Sequence, residues 1–162
     1  MPNNIIMADP KGERVYFNSD GLCYTEKMNI AVQVNPQRIP NYAYCQNLKE
    51  ISIDSTVRYP IAGDGHYRNN PNLEKATIKP FTTIAHYDFA SCTKLKEVQL
   101  GDVGAPISGL GQYAFSLCKQ ADLTITIYVA DETAIPLAGS PFGATNATII
   151  YRSSTTGEVR TE

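Results

Sequence analysis

What most constrains this chain is that it echoes itself. In residues 84–100 an aromatic residue, Phe89, is followed by Cys92, Leu95 and the alternating apolar pair Val98 and Leu100. Residues 110–118 repeat the opening of that pattern with Phe115 and Cys118. Earlier, Tyr67, Asn70 (in the cysteine column), Leu73, Ala76 and Ile78 run in the same order. A first copy reads Tyr44, Cys45, Leu48, Ile51 and Ile53, two residues shorter between its aromatic residue and its cysteine. A degenerate last copy carries Phe142, Ile149 and Tyr151. The anchors Tyr44, Tyr67, Phe89, Phe115 and Phe142 recur about every 22–27 residues, a period that marks a solenoid.

Each copy ends in two-residue apolar alternation, the pattern of a short strand with one buried face. A unit of this size cannot bury its apolar edge alone, so copies must stack. Laid side by side about 4.8 Å apart, they build a continuous core from the aromatic, cysteine and leucine columns. The charges support that register. One column reads Lys49, Glu74, Lys96 and the next reads Glu50, Lys75, Glu97. Opposite charges on neighbouring strands contribute roughly 0.2–1 kcal/mol per pair. Mainly β architecture follows, with short parallel strands in register and loops or short helices between them.

The order Ile84-x-x-Tyr87-x-Phe89-x-x-Cys92-x-x-Leu95-Lys96-x-Val98, with matching pieces at 39–51 and 110–118, resembles the BspA-like class of leucine-rich repeats. The resemblance spans residues 38–151. It departs from the class at Asn70, at Tyr44 and after Cys118, where the leucine column is disturbed at Ala121 and Leu123. The resemblance implies a curved solenoid of a kind found on surface or secreted bacterial proteins, some of them adhesive, and in phage-encoded proteins. No ligand-binding residue is fixed by the family motif.

Stacked repeats leave apolar ends that need caps. Residues 1–37 are expected to cap the first coil. There, residues 13–17 and 22–24 flank the polar turn 18–21 as a hairpin, and residues 30–34 form a strand. Residues 38–151 then hold four to five repeats, with a strand at 123–129 and a closing strand at 149–151. Residues 152–162 read as a polar tail, with mobility expected over 153–158.

Composition removes several function classes. The formal net charge of −2 and the scattered Lys and Arg give no footprint for nucleic acid. No apolar run spans a bilayer and no secretory signal is visible, so no membrane insertion is expected. The ten Tyr and absence of Trp suit a β-rich surface. Cys23, Cys45, Cys92 and Cys118 allow three disulfide pairings. Cys45, Cys92 and Cys118 nevertheless sit in the repeat column as small core residues, and Cys23 lies outside it. No zinc-type cysteine pair, phosphate loop, calcium loop or metalloprotease motif is present, so neither metal nor cofactor is expected. The Asn146-Ala147-Thr148 sequon is too common to carry weight.

Two columns pair Asp64 with His86 and His66 with Asp88, half of a catalytic triad. No nucleophile accompanies them, and surface ladder pairs are the preferred reading. Ser52, Thr77, Gln99 and Thr126 form an outward strand column suited to an extended binding face. Tyr59, Tyr87 and Tyr113 offer loop aromatics as an alternative. The expected function is non-catalytic adhesion or protein binding at a cell surface. The partner would be a protein or glycan on a host or neighbouring cell. The alternative is a phage tail or capsid accessory contacting a host or sister virion subunits. An enzyme is the weakest reading.

Overall fold

A computed structural model describes residues 4–8, 14–17, 27–31, 43–54, 65–79 and 82–161. The strands, in chain order, are β1 Asn4–Ala8, β2 Arg14–Phe17, β3 Lys27–Ala31, β4 Glu50–Asp54, β5 Lys75–Ile78, β6 Thr83–Ile84, β7 Glu97–Leu100, β8 Gly109–Leu110, β9 Thr124–Val129 and β10 Thr148–Ser153. Six of them form one sheet in the order β10-β9-β7-β5-β4-β3, every neighbouring pair parallel. The strand β6 pairs with β8 in a second small parallel sheet. No helix occurs among the described residues, so turns alone make the described connections. The architecture is a parallel β-solenoid.

The register follows the repeat. Ile51, Ala76, Val98, Ile125 and Ile149 align across the sheet, as do Ile53, Ile78, Leu100, Ile127 and Tyr151. From β4 to β9 these two columns are buried, because period-2 alternation turns both toward the same side. Leu48, Leu73 and Leu95 are fully buried beside them. Leu123 is buried as well, two residues before Ile125 where Leu95 stands three before Val98. A one-residue adjustment of the turn therefore absorbs the disturbance after Cys118.

On the opposite side of the core the aromatic residues stack. Tyr67 lies 5.0 Å from Phe89 at 17°, and Phe89 lies 5.2 Å from Phe115 at 6°. Beneath them a backbone ladder joins successive turns, with Tyr67 N–H donating to Asp88 O and Phe89 N–H to Ala114 O. Phe115 N–H donates to Phe142 O, and Phe142 is also fully buried.

Four expectations change. Tyr44 is not an anchor. It is 46% exposed, has a φ of 61°, and bonds in register with Asn69 through Arg68 O. It therefore belongs with Asn69, Ser91 and Leu117, the left-handed residues that precede the cysteine column (φ 54°, 62° and 63°). Spacing puts Tyr42 three residues before Cys45, and Tyr42 lies outside the described residues. Next, β2 pairs antiparallel with the upstream β1, with a bulge between Ile5 and Met7. Residues 22–24, the expected hairpin partner, lie outside the described residues. The strand expected at 30–34 is β3, which lies within the stretch expected to form a cap and makes a further rung, aligning Lys27 with Glu50. Finally, the tail is tied down. Ser153 N–H donates to Glu158 O and Arg160 N–H to Tyr151 O, so residues 158–160 return antiparallel along β10. The Arg160 guanidinium holds the carbonyls of Ala130, Asp131 and Thr133 at 2.7, 2.6 and 3.0 Å.

Phe89→Ala removes a ring packed on both faces and should cost about 3–5 kcal/mol in urea unfolding. Tyr44→Ala, at a half-exposed turn, should cost no more than about 1 kcal/mol. Similar losses in the two variants would contradict the placement of Tyr44 outside the aromatic stack.

Candidate interaction surface

The sheet face carries the column Ser52, Thr77, Gln99 and Thr126 in register, each half-buried, with Ile150 next in line. Gln99 spends its amide on Gly101 O at 3.1 Å. The flanking charges neutralise one another. Lys75 Nζ meets Glu97 Oε1 at 2.9 Å, and Lys96 Nζ lies 3.8 Å from Asp122 Oδ2. The hydrogen bond to Glu97, and then its charge, hold the Lys75 ammonium above its ordinary pKa. Lys79 Nζ meets Asp102 Oδ2 at 2.8 Å. Burial alone would raise the Asp102 carboxyl, but the bonds from Lys79 and the Val103 amide prevail and lower it. This face offers small polar groups and little unspent charge.

The turn side is different. Each coil must reverse before its strand, and a left-handed residue makes that reversal. At Tyr44 and Leu117 the demand falls on bulky residues whose side chains project outward, 46% and 56% exposed. Tyr87, also left-handed at φ 59°, and Tyr113 add a second column. Their rings stack 5.6 Å apart at 13° and remain 47% and 43% exposed. Arg68 lies with its guanidinium 5.7 Å over the Tyr44 ring, a cation–π contact. A polar ladder stitches the ends of these turns. Asn72 Nδ2 donates to Gln46 O at 2.7 Å and Lys94 Nζ to Asn72 Oδ1 at 2.8 Å. Gln120 Nε2 donates to Thr93 O at 2.8 Å, and Asn146 Nδ2 donates to Gln120 O. The sequon asparagine is thus engaged in stacking.

Beside the tyrosines lies an open groove of about 460 Å³, lined by residues of β6 and β8 together with His86, Gln112 and Gly139. Its shape depends on Gly111, where a Cβ would sit 2.5 Å from His86 N and 2.6 Å from the Ala85 carbonyl carbon. Only glycine allows these two coils to approach so closely.

The titratable candidates serve the fold. Asp88 is fully buried and accepts the His66 backbone N–H at 3.0 Å and the Ala85 N–H at 3.1 Å. The Asp–His column therefore meets through the His66 backbone amide. Asp64, the partner expected for His86, lies outside the described residues, as do Tyr59 and Cys23. Cys45, Cys92 and Cys118 are buried and unpaired with one another. Cys92 Sγ donates to Tyr67 O at 3.2 Å and Cys118 Sγ to Phe89 O at 3.1 Å, so each thiol reaches back one coil. Asn70 also links to the preceding coil, but as an acceptor. Its Nδ2 donates to Tyr67 O at 2.8 Å and its Oδ1 accepts the Cys45 N–H at 2.6 Å. Burial drives the Cys118 thiol up to about 12, and drives Cys92 up still further, helped by the neighbouring Cys118. Among the described residues no cluster of His, Cys, Asp and Glu could hold a metal ion. Among the described residues no helix is long and apolar enough to cross a membrane.

Asp88→Ala strands two amides and should cost about 1–3 kcal/mol for each, while Asp88→Asn should cost less because one acceptor survives. Chemical denaturation checks both, and a neutral Asp88→Ala would dismiss the staple. At pH 8 Cys92 and Cys118 should resist an aromatic disulfide reagent until the chain unfolds, because the thiolate is the reactive form. Rapid labelling of native protein at either residue would contradict their burial.

Residues 17–133 match the family model described as a BspA type Leucine rich repeat region, in six copies. Neither the search of curated proteins nor the search of solved structures finds a match. Repeats of this type commonly mediate protein interaction or adhesion, are typical of extracellular surface proteins, and form solenoids that are typically non-catalytic. The matched stretch contains β3, β4, β5, β7 and β9, the stacked rungs themselves, and the chain belongs to the BspA-type leucine-rich-repeat family.

Proposed function

We propose that the chain is a non-catalytic, surface-displayed adhesion module that grips a protein partner with its turn side. The observation that carries this reading is the exposure of Tyr44, Tyr87, Tyr113 and Leu117, each 43–56% accessible, in two columns along the turns. Binding energy at protein interfaces concentrates in aromatic residues and Arg, held rigidly and desolvated on docking. Here stacking already restrains Tyr87 and Tyr113, so less side-chain freedom is lost on association. The column Ser52, Thr77, Gln99 and Thr126, expected as the ligand face, has no aromatic member, and Gln99 is already bonded. Display on a bacterial cell or on a phage particle would use the same surface.

The test is an immobilised panel of host-surface proteins and glycans, probed with the wild-type chain and two double variants. Tyr87→Ala/Tyr113→Ala should weaken capture of a protein partner about thirtyfold or more, from a loss of about 2 kcal/mol or above. Thr77→Arg/Gln99→Arg should bind like wild type. The opposite ranking would move the contact to the sheet face, and a wild-type chain that captures nothing would remove the adhesion reading.

A further inference from the structure

Charge is divided unevenly between the two sides of this solenoid. The turn segments 43–48, 65–73, 86–95, 111–121 and 139–147 contain one carboxylate, Asp88, out of the 16 Asp and Glu in the chain. Asp88 is fully buried and faces backbone amides. The same segments carry Arg68, Lys94 and Lys119, all exposed. Among the described residues none of these three cations forms an ion pair with a carboxylate. Arg68 instead rests on Tyr44, and Lys94 on the Asn72 amide oxygen. On the sheet side, by contrast, Lys75, Lys79 and Lys96 each have an acidic partner. Among the described residues, a chain with a net charge of −2 thus presents a cationic ridge whose one carboxylate is buried.

Resting on the adhesion reading, we infer that this ridge docks an acidic polypeptide segment bearing aromatic or apolar residues between its carboxylates. Three observations select that chemistry. The exposed cations lie in successive coils, joined by the bonds Tyr44 N–H to Arg68 O, Asn69 N–H to Ala90 O and Ser91 N–H to Ser116 O. An extended segment crossing the coils would meet them in turn. The same turns carry the exposed, stacked Tyr87 and Tyr113 and the exposed Leu117, which reward apolar side chains and offer nothing to a purely anionic polymer. Among the described residues the turn segments themselves hold no exposed carboxylate, which limits repulsion of an incoming one, and complementary potential steers encounter and selects partners. With three cations spread over several coils, the charge density is too low to hold a polyanion such as nucleic acid through phosphates alone.

The experiment uses a labelled random copolymer of glutamate and tyrosine as probe, with polyglutamate, heparin and duplex DNA as the other anions. Wild type should bind the copolymer more tightly than polyglutamate. Affinity should fall as NaCl rises from about 50 to 500 mM, because screening shortens the reach of exposed charges. Arg68→Gln/Lys94→Gln/Lys119→Gln should lose roughly tenfold or more at low salt, in line with modest contributions from three exposed pairs. Lys49→Gln/Lys75→Gln/Lys96→Gln removes the same charge from the sheet side and should match wild type. Lys119→Glu, a single exposed change, should weaken binding severalfold without altering the thermal melt, and it guards against misfolding of the triple variant. Equal losses in the two triple variants, or no loss in Lys119→Glu, would overturn the ridge. Tighter binding of heparin or DNA than of the copolymer, through the same residues, would replace the polypeptide with another polyanion. A panel protein captured through Tyr87 and Tyr113 but indifferent to all three cations would end this inference and leave the adhesion reading standing.

Discussion

Everything in this molecule depends on successive coils lying in register. A coil contributes one strand to the main sheet and a turn side opposite it, and neither hides its apolar side without a neighbour. Parallel pairing fixes the strand side, the phenyl and phenol rings stack at about 5 Å on the other, and backbone amides run between coils along the turns. Interactions of this kind are local to adjacent coils, so the fold is close to a one-dimensional chain of interfaces. The cysteine column shows how tightly register is specified. The thiols of Cys92 and Cys118 reach a carbonyl one coil back, whereas Asn70 accepts the Cys45 N–H of the preceding coil and donates to Tyr67 O within its own.

The strand side was legible in the sequence because its physics has a short period. Alternating apolar residues name the buried face, and the alternating Lys and Glu name the neighbour, as the contact of Lys75 with Glu97 demonstrates. Tyr44 misleads for a physical reason. It is aromatic and adjacent to Cys45, yet the turn needs a left-handed residue there and sends its side chain outward. Spacing from the cysteine, three residues in every other copy, is the signal that would have separated it from Tyr42. The restraint of residues 152–161 had no comparable mark. Arg160 binds main-chain carbonyls, and carbonyls leave no trace in composition. The pairing of β1 with β2 was equally hidden, because the strand partner lay on the other side of the segment that looked like a hairpin.

The candidate surface was only half legible. Tyr87 and Tyr113 stood out as loop aromatics, but their stacking and exposure follow from the coil geometry. The scarcity of carboxylates in these turn segments, where the one carboxylate is the buried Asp88, is written in the sequence, and it becomes visible only when the segments are known. The two sides then divide the labour. Charge on the sheet side is consumed in holding strands together. On the turn side the backbone does the holding, which frees side chains for other uses.

The return of the chain along β10 has a consequence for assembly. A sheet built from parallel strands would normally expose a bare margin of amides and carbonyls at its last member, open to recruitment of any passing strand. Here residues 158–160 run back against that margin, secured by Arg160 to the neighbouring coil. Growth of the stack in that direction is obstructed along Tyr151–Ser153 by a segment of opposite polarity, which another parallel coil cannot mimic. That margin is thereby closed to end-joining along these three residues.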